Sequence, residues 1–173
     1  MSQTLVAYFS RRGNNYVAGS IINLEVGNTE KMAKIIQATL ACDSYEIEVK
    51  QPYPEDYHIC TELAADEKKE NKRPALKNER VDLTPYHTIY LGFPNWWQTA
   101  PMAVFTFLES HDFTRKTIVP FCTHEGSGFG NSLADVERAC QPATIKDGLA
   151  LFGGEVDNKK QEILDWIDRS ESK

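Results

Sequence analysis

Leu5-Val6-Ala7-Tyr8-Phe9-Ser10, close to the start of the chain, is a continuous apolar run that ends on a hydroxyl. Three runs of the same kind follow at Thr88–Phe93, Thr117–Cys122 and Gly148–Gly153. A strand with one wet face alternates apolar and polar residues, whereas a strand covered on both faces does not. These runs therefore predict strands of a parallel sheet. Tyr45–Lys50 does alternate, with Tyr45, Ile47 and Val49 set against Glu46, Glu48 and Lys50, which places it nearer a sheet edge. Helical spacing fills the intervals. Thr29–Cys42 sets Met32, Ile35, Ile36 and Leu40 on one face, and Asp157–Arg169 sets Ile163, Leu164, Trp166 and Ile167. Pro101–Ser110 opens on a proline, which a first helical turn tolerates, and Asn131–Cys140 follows. Tyr57–Lys72 reads as a more solvated helix whose run Asp66-Glu67-Lys68-Lys69-Glu70 is a wet face. Residues 73–87 read as a surface connection. Strands alternating with helices predict a doubly wound α/β fold, in which ligands bind outside the carboxyl ends of the strands.

The 173 residues suit one domain, 1–173. A chain of this length buries roughly 70% of its unfolded surface, enough for a core without staples. The balance of 19 Lys and Arg against 25 Asp and Glu gives a net charge of −6. That argues against nucleic acid and against anionic membrane surfaces, which both select for basic residues. No apolar run reaches spanning length, and the N-terminus lacks the basic start and cleavage site of a secretory leader. Cys42, Cys60, Cys122 and Cys140 are widely spaced, as reduced thiols would be, so a cytoplasmic location is expected and no metal site.

The segments after the strands carry the chemistry. Ser10-Arg11-Arg12-Gly13-Asn14-Asn15 follows the first strand, yet a helix starts only at Gly27-Asn28-Thr29-Glu30. Such connections normally take about 2–6 residues. Hydroxyls at Ser10 and Thr29, the Asn28 amide, two arginines and a helix start make an anion site; a plain N-cap with incidental arginines accounts for them equally well. After the third strand comes Pro94-Asn95-Trp96-Trp97-Gln98. Adjacent tryptophans cannot both enter one core, so one faces a cleft or solvent, where it can stack on a planar ligand. The fourth strand ends in Thr123-His124-Glu125-Gly126-Ser127-Gly128-Phe129, whose glycines let backbone approach a ligand. His124 is open to an acid–base role, while Glu125 reads better as a hydrogen-bonding liner. Gly128 stands where a C-x5-R phosphatase loop needs arginine, and no P-loop is present. His58, His87 and His111 share no ligand spacing.

Ala7-Tyr8-Phe9-Ser10 with Gly27-Asn28-Thr29 resembles the opening strand and phosphate loop of flavodoxins. Gly92-Phe93-Pro94-Asn95-Trp96-Trp97 and Thr123-His124-Glu125-Gly126-Ser127-Gly128 resemble the ring loops of one flavodoxin branch, and Tyr53-Pro54-Glu55-Asp56-Tyr57 matches a structural segment there. In the common form Ser and Gly-Asn-Thr are fused; here the stretch Tyr16–Val26 separates them, so either Gly13-Asn14 or Gly27-Asn28 can be the matching pair. Glu30 and the helix behind it favour the second. The resemblance implies five parallel strands in the order 2-1-3-4-5 with helices on both faces. It implies non-covalent FMN, its phosphate among Ser10, Arg12, Asn28 and Thr29. Its ring would lie between Pro94, Asn95, Trp96 and Trp97 and the loop Thr123, His124, Glu125, Gly126, Ser127, Gly128 and Phe129. Of the tryptophans, Trp97 is expected to stack and Trp96 to fold back over the strand. The resemblance leaves two functions: an electron carrier between partner proteins, or an NAD(P)H-dependent reductase of quinones or other small acceptors. Either would work as a monomer or homodimer, without membrane insertion.

Overall fold

The structure is a computed structural model and describes residues 3–78 and 80–172. In chain order the elements are β1 (Thr4–Tyr8), β2 (Gly13–Val17), β3 (Ser20–Leu24), α1 (Asn28–Leu40), β4 (Asp43–Glu46) and α2 (Tyr57–Lys69). Then come β5 (Thr88–Pro94), α3 (Met102–Glu109), β6 (Thr117–His124), α4 (Ser132–Ala139), β7 (Thr144–Ile145) and β8 (Leu149–Phe152). A 3-10 turn (Gly153–Asn158) leads into α5 (Lys160–Glu171).

The main sheet runs β4-β1-β5-β6 and ends in β7 and β8, which both pair with the far edge of β6. All of these pairings are parallel. With the β2–β3 hairpin set aside, this is the expected 2-1-3-4-5 order, except that two short pieces fill the fifth position. β7 lies opposite Thr117 and Ile118, and β8 opposite Phe121–His124. The break falls beside Pro120, whose ring leaves no N–H for a ladder.

Alternation along the strands divides the core in two. Leu5, Ala7, Ile89, Leu91, Phe93, Ile118 and Cys122 face one side, where Ala103, Val104 and Phe107 of α3 cover them. Val6, Tyr8, Tyr90, Val119 and Phe121 face the other, against Met32 and Ile36 of α1 and Ile163, Trp166 and Ile167 of α5. Burial on both faces is why these strands read as unbroken apolar runs.

Several details depart from expectation. β4 is the edge strand, but it starts two residues early and stops at Glu46; Val49 instead bridges to Leu76. α2 stops at Lys69, and Glu67 in its charge run is buried, accepting a 2.8 Å hydrogen bond from the Tyr53 hydroxyl. Segment 73–87 is pinned by buried Leu76 and Leu83 rather than lying loose on the surface. The last helix begins at Lys160, after the 3-10 turn.

The stretch between β1 and α1 is an antiparallel hairpin separate from the main sheet. Its two-residue turn, Ala18-Gly19, has φ of 49° and 90°, the left-handed geometry that matches strand twist.

Candidate functional site

The carboxyl ends of β1, β5 and β6 and the N-terminus of α1 enclose a cleft of about 380 Å³. At its deep end, Gly27 precedes the helix. A Cβ there would lie 2.2 Å from Ser10 Oγ and 2.6 Å from Arg11 O, so glycine lets the strand exit press against the helix start. Gly27 offers no capping side chain; Ser10 Oγ instead accepts from Glu30 N at 3.1 Å. Thr29 and Thr123 are buried, with hydroxyl oxygens 2.7 Å apart. Their pair ties the first turn of α1 to the end of β6. Helix dipole, hydroxyls and the Asn28 amide thus converge on one spot.

The arginine of this end is Arg11, not Arg12. Arg11 lines the cleft, held by hydrogen bonds to Asn14 O (3.0 Å), Pro54 O (2.9 Å) and Glu55 O (2.9 Å). These are backbone carbonyls, which leave its charge unneutralised. Arg12 turns the opposite way, as successive residues leaving a strand do. It pairs with Glu30 at 3.0 Å and Glu46 at 3.1 Å, outside the cleft. Lys34 joins Glu30 at 3.1 Å. Burial alone would raise the Glu30 pKa, but the bonds from Arg12 and Lys34 outweigh it and hold the carboxyl below its ordinary 4.5. A lowered carboxylate stabilises the fold fully above its unfolded pKa and loses that contribution as pH falls through the folded value. Glu30→Gln should therefore lower urea-measured stability by about 1–2 kcal/mol at neutral pH, and the gap from wild type should narrow below about pH 4. A gap that widens in acid would refute the assignment.

At the other end, Trp96 and Thr99 pair back to back, through Trp96 N to Thr99 O at 2.8 Å and Thr99 N to Trp96 O at 3.3 Å. Trp97 and Gln98 form the tip, with φ of 55° and 68°. Non-glycine residues there cost about 1–3 kcal/mol each, which marks a constrained position. Trp96 folds back, edge-on to Phe9 and Tyr53 with centroids 5.1 Å from each. Trp97 is 52% exposed and lines the cleft; its Nε1 donates to Thr61 O at 2.9 Å, and Lys68 Nζ donates to its carbonyl. Asn95 joins the two loops: its N donates to Thr123 O (2.9 Å) and its Nδ2 to Gly128 O (2.7 Å).

His124 and Glu125 both line the cleft. His124 Nδ1 accepts from Gly126 N at 2.9 Å, and its ring lies 4.7 Å from that of Phe152. Desolvation by burial lowers its pKa against the opposing charges of Glu125 and Glu155, favouring neutral imidazole. With Nδ1 accepting, the single proton sits on Nε2. Glu125 Oε2 accepts from Ala18 N at 3.0 Å, so its role is to hold the hairpin. Behind the loop, burial pushes the Cys122 thiol up to about 12 and leaves it inert.

The cleft therefore gathers Ser10, Asn28, Thr29, Pro94, Asn95, Trp96, Trp97, Thr123, His124 and Glu125. Ser127 lines an adjoining groove, Gly128 turns its carbonyl to Asn95, Phe129 packs on the core, and Gly126 is engaged with His124. None of these last four lines the cleft itself. The sequence placed Arg11 and Asn15 beside the anion site without choosing them over Arg12, and it missed Tyr16 of the hairpin, the α2 face of Tyr57, Cys60, Thr61 and Ala64, and Gly153. Cys60 and Ala64, at the i, i+4 spacing, were the available signal for that face. Among the described residues no helix is long and apolar enough to cross a membrane, and no cluster of His, Cys, Asp and Glu could hold a metal ion.

No curated protein matches the chain. A candidate flavoprotein of Bacteroides eggerthii is 30% identical over 95% of each chain, with a TM-score of 0.75. One of Bacteroides uniformis is 32% identical over 92% of this chain and 96% of its own, with a TM-score of 0.72. A Lactobacillus acidophilus flavoprotein, solved in complex with FMN, shares the fold at 20% identity over 90% of this chain and 96% of its own, with a TM-score of 0.67. The family model described as Flavodoxin matches residues 3–170. With the parallel sheet and the cleft at its carboxyl edge, that match makes the chain a member of the flavodoxin family.

Proposed function

We propose that this protein binds FMN non-covalently in the cleft and carries electrons between partner proteins. The observation that carries the reading is the polarity of the cleft. One end gathers a helix N-terminus, the Ser10, Thr29 and Thr123 hydroxyls and the Arg11 charge; the other presents the exposed Trp97 indole. A phosphate monoester joined to a flat ring fits that order, and FMN is what the Lactobacillus acidophilus relative holds. When bound, FMN supplies one- and two-electron chemistry at its ring.

The chain's own part is to bind and orient. The first turn of α1 and the hydroxyls receive phosphate; Arg11 offsets its charge; Trp97 covers the ring; Asn95 fixes the spacing of the two loops that flank it. The net charge of −6 would steer a basic partner protein. Four buried, unpaired cysteines suit a reducing compartment, so we place the protein in the cytoplasm. The groove beside Trp97 favours direct reduction of a small acceptor as a second reading.

Titration of apoprotein with FMN, riboflavin and FAD tests this. FMN should bind one to one and most tightly. Folded protein that takes up no FMN would overturn the proposal. Thr29→Val should weaken FMN about 10- to 100-fold through loss of a charge-assisted hydrogen bond, and riboflavin far less. Equal losses would move Thr29 away from the phosphate.

A further inference from the structure

A second groove, of about 670 Å³, opens on the far side of Trp97. Ala65, Lys68 and Lys69 of α2 form one wall, and Trp97, His124 and Ser127 form the other. Trp97 and His124 also line the cleft, so the two cavities share a wall. Three properties of the groove bear on what it can hold. It has a flat aromatic face, held in place by the Nε1 bond to Thr61 O and the Lys68 bond to the Trp97 carbonyl. It has a directed donor, because the Gly126 N–H occupies Nδ1 of His124 and leaves Nε2–H for another acceptor. It has two cations that pair with no carboxylate among the described residues. The acid in this wall, Glu125, accepts from Ala18 N and keeps its negative charge, so the two lysines stand against one carboxylate. In a chain of net charge −6, such a spot repels cationic ligands more than its surroundings do and attracts anions.

The geometry points to this groove as the site for a planar, conjugated carbonyl compound that bears an acidic group. Its ring lies on the Trp97 indole, its carbonyl accepts from His124 Nε2–H, and its acid faces Lys68 and Lys69. Binding follows from these residues alone. The role of that compound as electron acceptor rests on the FMN reading, since the shared Trp97 wall places it next to the ring end of the cleft.

Anthraquinone-2-sulfonate and its uncharged 2-hydroxymethyl analogue are suitable probes, titrated calorimetrically into FMN-saturated protein. The sulfonate should bind more tightly, and the preference should shrink as salt screens exposed charge. Lys69→Ala should weaken the sulfonate about threefold and Lys69→Glu about tenfold, with the uncharged probe unaffected. Lys69 lies at the solvated end of α2, which makes it a cleaner variant than Lys68, whose side chain also holds Trp97. His124→Ala should weaken both probes about two- to tenfold, and His124→Gln, which keeps an N–H, less. Nitrogen NMR should find the His124 proton on Nε2. Equal affinity for the two probes, indifference to the Lys69 variants, or a proton on Nδ1 would overturn the site. The same titration without FMN separates the two ideas. Lys69-dependent binding in a protein that takes up no FMN would leave the groove standing and refute the FMN reading; uptake of FMN without probe binding would refute the groove alone.

Discussion

Trp97→Ala should lower affinity for FMN by about 30- to 150-fold, since a stacked indole contributes roughly 2–3 kcal/mol from buried area and ring contact together. Flavin emission, quenched by the indole in the wild-type complex, should recover. The neighbouring change should behave differently. Trp96 sits edge-on to Phe9 and Tyr53 in the core margin, so Trp96→Ala should reduce stability by about 2–3 kcal/mol and leave quenching in place. Trp97→Gly separates ring from backbone: at φ 55° glycine relieves strain, so this variant should be more stable than Trp97→Ala by up to about 1 kcal/mol while binding no better. If both alanine variants keep native affinity and quenching, the ring does not lie on this loop.

Gly27→Ala should be nearly as damaging, for a steric reason only. Gly27 has φ −64° and ψ 152°, a conformation open to any residue, so no backbone strain attends the change. The added methyl would instead meet Ser10 Oγ at 2.2 Å and Arg11 O at 2.6 Å, and the second of these is backbone. Parting β1 from α1 should cost about 1–3 kcal/mol of stability and at least tenfold in FMN affinity, because Ser10 and the helix N-terminus no longer converge. Chemical denaturation beside an FMN titration checks both. Wild-type values in both would show that the strand exit can move aside freely, and that its closeness to the helix has no part in binding.

What the sequence disclosed, and what it hid, follows from the range of the interactions. Leu5–Phe9 and Thr117–Cys122 were legible because burial on two faces leaves an unbroken apolar run. Trp97 was legible because two adjacent indoles cannot share one core. The choice between Arg11 and Arg12 was not, since it depends on the direction in which the chain leaves β1 and on Glu46, a residue of another strand. Glu67 looked wet because its partner, the Tyr53 hydroxyl, lies 14 positions away. The loop after Thr123 begins at the cleft, with Thr123, His124 and Glu125 lining it, but Gly128 and Phe129 serve the loop's own architecture, through Asn95 and the core. The hairpin was hidden because Tyr16–Val26 alternates too weakly, and only the Ala18-Gly19 turn betrays it.

That hairpin has a kinetic consequence. It lies outside the main sheet and meets the rest of the cleft wall at a few points: Tyr16 stacked on Tyr57 with centroids 6.1 Å apart, the Ala18 N–H on the Glu125 carboxylate, and Asn14 and Asn15 hydrogen-bonded to Arg11. Tyr16, Ile21 and Ile22 are more than two-fifths exposed, so little apolar burial holds it down. A unit tied so lightly should open more often than the sheet unfolds, and amide hydrogen exchange should then be faster in β2 and β3 than in β1 and β5. Tightening or loosening the Glu125 tie changes how fast a molecule reaches or leaves the start of α1 from that side. Because the same hairpin holds Arg11, through Asn14 O at 3.0 Å and the Asn15 amide at 2.9 Å, residence time and the charge presented at the helix end are linked through one lightly tied unit.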